Sequence, residues 1–142
     1  MPHEYGLTAA MQNKIAAKRD PEFEKAALKW IYGYLGEPVP EEPLEVALHD
    51  GQALLKFMKK VKPDLVSGPI HSGKIDAQLR ENIGTFIQAC TKLGVRGTDI
   101  FQTNDLWDKK DIPQVCVTLS ALGTELQRNH PEVPAFGPPP KH

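Results

Sequence analysis

"NIGTFIQACTKLGV", residues 82–95, is the stretch on which the fold class turns. Extended back to Leu79, its apolar residues Leu79, Ile83, Phe86, Ile87, Cys90 and Leu93 fall within an arc of roughly 120° at the angular step of an α-helix. Gly94 follows where helices commonly end in a left-handed residue. The period predicts a buried helical strut and not a site of chemistry. Cys90, in the middle of the arc, is expected to act as a small hydrophobe. Asn82, at the border of the arc, is expected to be a partly buried hydrogen-bonding residue that ties down a loop.

Working outward, the same period recurs. Asp20 fits an N-cap, Pro21 the first helical position and Glu22 the first turn, so a helix is predicted to start there. Phe23, Ala27, Trp30, Ile31 and Tyr34 then share a face, which makes Trp30 a core residue. Three prolines within residues 38–43 stop it. Leu44, Ala47 and Leu48 begin a short helix, and Asp50 is expected to cap the next one, in which Leu54, Phe57, Met58 and Val61 line one side. Residues 62–74 read as a loop rich in Pro and Gly. Residues 98–111 read as short helical turns. Asp111 and Gln114 have the spacing of a capping box, opening a last helix with the stripe Ile112, Val115, Leu119, Leu122 and Leu126. An earlier short helix is predicted at residues 9–19, with Thr8 as its cap. No convincing period-two alternation is present. The expectation is an all-α domain over residues 20–128, with four main helices plus short ones. It is preceded by an N-terminal segment (1–19) carrying the short helix and followed by a Pro-rich, extended tail (129–142).

Composition limits the function. The chain has 142 residues, the size of a single domain, and a net charge of −1. That charge provides no global field for nucleic acid or for an anionic membrane surface. No apolar run resembles a signal peptide or a membrane span. Two cysteines make no disulfide framework, and a cytoplasmic setting with reduced thiols is expected. Cys90 and Cys116 lack metal-ligand spacing, the five histidines are scattered, and no GxSxG elbow occurs, so neither metal nor cofactor is implied. Glu37, Glu41, Glu42 and Glu45 lie in the Pro-rich segment and read as a solvated acidic patch. "GPIHSGK" (residues 68–74) matches the start of a phosphate-binding loop. Ile75 stands where a hydroxyl must hold Mg²⁺, Pro69 removes one N–H, and the flanking strand is missing. It reads as a surface loop.

Four blocks, "GLTAAMQNKIAAKRDPEFEKAALKWI", "LHDGQALLKFMKKVKP", "QLRENIGTFIQACTKLGV" and "DIFQTNDLWDKKDIPQVCVTLSAL", resemble in order and spacing the single calponin homology domain of the calponin and transgelin family, invertebrate muscle members included. The resemblance spans about residues 5–128. It implies a compact helical bundle in which Trp30, Asp50, Gly51, Asn82, Ile83, Phe86, Gly94, Asp105 and Leu106 occupy signature positions, mostly as fold determinants. It also implies a non-enzymatic, cytoskeleton-associated protein that binds filamentous actin; the alternative is an adaptor that docks signalling kinases or other cytoskeletal proteins without direct actin binding. The family carries a Gly- and Asn-rich repeat after this domain. None follows Pro134, so weak filament binding is expected of this chain. Actin's surface is acidic, which makes lysine clusters the candidate contacts. Lys56, Lys59 and Lys60 fall opposite the Leu54/Phe57/Met58/Val61 stripe, with Lys62 at the helix end. Lys109 and Lys110 form a second pair.

Overall fold

The computed structural model describes residues 19–134. Among them are six α-helices and two 3₁₀ turns, and no strand. The short helix expected over residues 9–19 lies outside the described residues except for Arg19, which is not helical, and the tail from residue 135 onward lies outside them too.

Helix α1 (Pro21–Leu35) starts as its sequence dictates. The Asp20 carboxylate accepts hydrogen bonds from the N–H groups of Glu22 (3.1 Å) and Phe23 (3.2 Å). It ends at Gly36, φ +74°, where Gly36 N–H reaches the Gly33 carbonyl and Glu37 N–H the Tyr32 carbonyl. This is the paired Schellman closure that a glycine makes without Cβ strain. Residues 37–43 carry the chain to α2 (Leu44–Ala47). Helix α3 (Gln52–Val61) follows after one turn, and a 3₁₀ turn, Pro63–Leu65, leads into the loop before α4 (Asp76–Lys92). A second 3₁₀ turn, Gly97–Asp99, precedes α5 (Thr103–Trp107) and the last helix, α6 (Ile112–Asn129).

The longest helices, α1, α3, α4 and α6, enclose the core. Helix α3 lies between α1 and α4 and makes its most extensive packing with both, while α6 closes on α1 and α5. Phe57 of α3 is the meeting point with α1. Its ring centroid lies 4.7 Å from that of Trp30 and 5.2 Å from that of Tyr34, in tilted and edge-on geometry, the arrangements aromatic quadrupoles favour. Ile112, Val115, Leu119, Leu122 and Leu126 are all buried, as their stripe predicts.

Four sequence expectations need correction. Helix α4 begins at Asp76, three residues before Leu79, and its buried face is Asn82, Ile83, Phe86, Ala89 and Cys90. Leu79, Ile87 and Leu93 are half-buried flanks. The face is rotated because Asn82 satisfies its amide internally and therefore sits inside the arc. At α3, the cap position belongs to Gly51 (φ +74°), and Asp50, one residue earlier, accepts the Gln52 N–H at 3.0 Å. At α6, Asp111 does cap Gln114 N–H (3.1 Å), but the Gln114 side chain turns away to the Thr98 carbonyl, so the reciprocal half of the box is not made. A box-like reciprocal bond forms at α5 instead, where Asp105 Oδ2 accepts from Gln102 N–H at 2.8 Å. Finally, residues 129–134 do not form a free extended tail. Asn129 is helical, Val133 is wholly buried, and the Trp30 indole N–H donates to the Pro134 carbonyl at 2.8 Å.

Phe86 and Trp30 both lie in the core. Phe86→Ala and Trp30→Ala are each expected to lower the unfolding free energy by about 3–5 kcal/mol, through lost burial plus a residual cavity. Guanidinium denaturation of the two variants measures this. A midpoint equal to the parent's contradicts the packing described.

Candidate functional site

A surface that binds a partner depends on a scaffold that holds it. Here the scaffold is set where α3 begins against α4. The Asn82 side chain is buried, and its amide makes three hydrogen bonds. Nδ2 donates to the carbonyls of Asp50 (2.9 Å) and His71 (2.8 Å), and Oδ1 accepts from the His71 N–H (3.0 Å). One side chain thus fixes both the entry to α3 and the loop before α4. Gly51 makes the approach possible. A Cβ placed there meets Asn82 Cβ at 2.7 Å and Ile83 N at 2.9 Å, in a backbone with φ +74°. The "GPIHSGK" loop is part of this clamp. Its His71 N–H is already used by Asn82 and does not face a phosphate cradle.

On this frame the lysines of α3 point outward, away from the buried Leu54, Phe57, Met58 and Val61. These three, and Lys62 just after the helix, do not have equal status. Lys60 Nζ donates to the Tyr34 carbonyl and stands 4.6 Å above the Tyr34 ring. Helix α1 has no basic residue in its own last turn, so Lys60 supplies the cation that its carbonyl end favours. Lys56 Nζ lies 3.8 Å from Glu37 Oε2, an exposed pair. Lys59 and Lys62 are exposed, and their side chains make no hydrogen bond or ion pair among the described residues. Lys109 and Lys110 sit apart from these, on the turn after α5. Lys109 adopts a left-handed backbone (φ +58°), and its charge contributes to holding the Glu45 carboxyl low.

Most of the signature positions lie in the frame. Trp30, Gly51, Asn82, Ile83, Phe86 and Leu106 are buried, Asp50 and Asp105 bond to nearby backbone, and Gly94 holds φ +102° after α4. Cys90 and Cys116 are buried too, and burial pushes the Cys116 thiol up to about 12 and the Cys90 thiol higher still. Neither is a thiolate nucleophile at neutral pH.

Two polar features were not legible from the sequence pattern. Thr118, on the buried face of α6, accepts the Phe101 N–H (2.8 Å) and donates to the Asp99 carbonyl (2.7 Å), fixing the loop before α5. Arg19 joins α1 to α2. Its guanidinium bonds both oxygens of Glu24 (2.9 and 2.6 Å) and both of Glu45 (3.1 and 2.6 Å). The expected solvated patch of four glutamates is therefore divided, because Glu45 is paired with Arg19 and Glu37 approaches Lys56. Among the described residues no helix is long and apolar enough to cross a membrane.

Comparison with known proteins agrees with this architecture. The calponin homology (CH) domain family matches residues 21–128. The chain is 38% identical to myophilin of Echinococcus granulosus over 97% of its length and 74% of that protein's. It is 38% identical to muscle-specific protein 20 of Drosophila melanogaster, covering 94% and 73% of the two chains. It is 35% identical to calponin-1 of Meleagris gallopavo, covering 87% and 69%. In fold it is similar to the crystal structure of the calponin homology domain of Rng2 from Schizosaccharomyces pombe, with a TM-score of 0.68 at 24% identity over 80% of this chain and 72% of that one. An IQGAP calponin homology domain from the same organism gives 0.67 at 21% identity, over 88% and 77%.

The Arg19 bridge predicts a pH dependence. Hydrogen bonds from Arg19 hold the Glu45 carboxyl below its ordinary value of 4.5. A carboxyl depressed in the folded state contributes stability above its unfolded pKa and loses it as pH falls through the folded one. Glu45→Gln is therefore expected to melt below the parent at pH 7, by the equivalent of about 1 kcal/mol or less. The gap should close as pH drops below 4.5. A gap that persists unchanged at pH 3 to 4 contradicts an ionic origin.

Proposed function

This chain belongs to the calponin homology (CH) domain family, and on that premise we propose that it is a non-enzymatic, cytoskeleton-associated module that binds filamentous actin through the lysine face of α3. The carrying observation is the uneven engagement of those lysines. Lys60 and Lys56 have partners inside the domain, whereas Lys59 and Lys62 project from the same end of α3 without any among the described residues. Cations held on a rigid helix and not already neutralised are the ones that meet an acidic filament most strongly. The Lys109–Lys110 turn is a secondary contact in this reading. The muscle-specific protein and the calponin among the relatives support a cytoplasmic, cytoskeleton-associated place.

Contacts of this kind are exposed and screened, since the Debye length is about 8 Å at physiological salt. Binding is therefore expected to be weak and to fall steeply as salt rises. In cosedimentation with filamentous actin, Lys59→Glu/Lys62→Glu is expected to stay in the supernatant under low-salt conditions where the parent pellets, with an unchanged melting temperature. Lys109→Glu/Lys110→Glu should show a smaller loss. A parent that never pellets at low salt, or a Lys59/Lys62 variant that pellets like the parent, overturns the proposal.

A further inference from the structure

Residues 130–134, "HPEVP", follow the last helix as a short strap, beyond residue 128, where the family match ends. Val133 is wholly buried, while Pro131, Glu132 and Pro134 stay exposed and His130 is half-buried. Two side chains of the helical frame hold the backbone at Val133. Gln127 Nε2 of α6 donates to the Val133 carbonyl at 3.1 Å, and Trp30 Nε1 of α1 donates to the Pro134 carbonyl at 2.8 Å. Within the strap, the Val133 N–H closes a turn on the His130 carbonyl (3.0 Å), and the His130 ring approaches the Glu132 carboxylate at 3.3 Å. One apolar side chain and two successive carbonyls are thus received by a seat between α1 and α6, much as a groove receives an extended peptide.

We propose that this seat is a binding site for an extended segment of a partner protein that carries an aliphatic residue followed by proline, and that the strap is its built-in, releasable plug. The ligand chemistry is the strap's own. An aliphatic side chain fills the hole that Val133 fills, and two carbonyls meet the two donors. A proline in second place suits the seat because it brings no N–H to be left unpaired there. The frame supplies both donors from packed elements, since the Trp30 ring lies 4.7 Å from that of Phe57 and Gln127 belongs to the last turn of α6. When the strap leaves, an apolar hole opens and both donors lose their acceptors at once, and a segment of the same chemistry restores all three contacts. Release is a local event, because the strap follows the last helix and buries a single side chain; segments with so few buried contacts open without global unfolding. Tethering gives the plug an effective concentration on the order of millimolar, so it excludes a weak ligand and yields to a tight one. The seat is made by α1 and α6 and uses no residue of the lysine face.

The test uses the whole ¹⁵N-labelled chain and, as probe, an end-blocked peptide with the sequence of residues 129–134, "NHPEVP". In the parent, the Trp30 indole proton is expected to exchange with solvent about tenfold faster, or more, than the central amides of α4. An indole proton that exchanges only with global unfolding makes the strap a fixed part of the core and overturns the proposal, whatever the variants do. Val133→Asp, which unseats the plug, is expected to shift the Trp30 indole N–H resonance. The peptide should return that resonance to its parent position, and should bind the variant about tenfold more tightly, or more, than it binds the parent, whose own plug competes. The same peptide with aspartate in place of its valine should not bind. A variant whose indole resonance stays at the parent position, or one that millimolar peptide leaves unchanged, overturns the proposal as well.

Discussion

The Asn82 amide, closed against Gly51, is the contact on which the arrangement of this domain depends. Two helices and a loop meet where a single buried side chain bonds three part-buried backbone groups. Each such bond is worth about 1 kcal/mol net, but an unmet buried group costs about 1–3 kcal/mol, so the three work mainly by penalising alternatives. The glycine allows the backbones to close to a distance at which the amide can reach across. It also supplies the left-handed residue that turns the chain from α2 into α3. The apolar face of α3, with Phe57 between Trp30 and Tyr34, packs in the register that this contact accompanies.

The functional surface follows from that register. Because α3 is held with its apolar side on α1 and α4, its lysines must project outward, and the end of α1 comes within reach of Lys60. That lysine contributes to the fold as a cation on helix carbonyls, whereas the Lys59 and Lys62 side chains are exposed and have no ion pair among the described residues. The opposite charges are divided in the same way. Glu24 and Glu45 are taken by Arg19, leaving Glu41 and Glu42 in the connection from α1 to α2 without an ion pair among the described residues. A chain with a net charge of −1 thereby presents two surfaces of opposite sign.

Much of this was legible in the sequence. The apolar stripes of α1, α3 and α6, the Asp20 cap with Pro21, and the glycine after α4 are local signals, and local physics decided them. The signals that misled were those settled by tertiary contact. The buried face of α4 is rotated because Asn82, polar by type, is satisfied by His71 and Asp50 from other segments, which no helical period reports. Gln114 has capping-box spacing, yet the Thr98 carbonyl draws its side chain away. Val133 follows two turn residues in a Pro-rich stretch, and only the three-dimensional proximity of Trp30 and Gln127 explains its burial. For the surface, the lysine cluster could be read from the chain, but the distinction among its members could not, because Tyr34 and Glu37 approach only after folding.

The clamp makes a specific demand on the loop that it holds. The His71 amide lies outside any helix, in a segment rich in Gly and Pro, where exchange with solvent is normally fast. Bonded to a buried Asn82 oxygen, it should exchange only when the α3–α4 core opens. Amide hydrogen exchange of the native protein measures this directly. The account expects His71 to be protected to the same free energy as the central amides of α4, while Ser72 and Gly73 beside it exchange rapidly. A His71 amide that exchanges as fast as these neighbours would mean that Asn82 does not hold the loop, and would contradict the account.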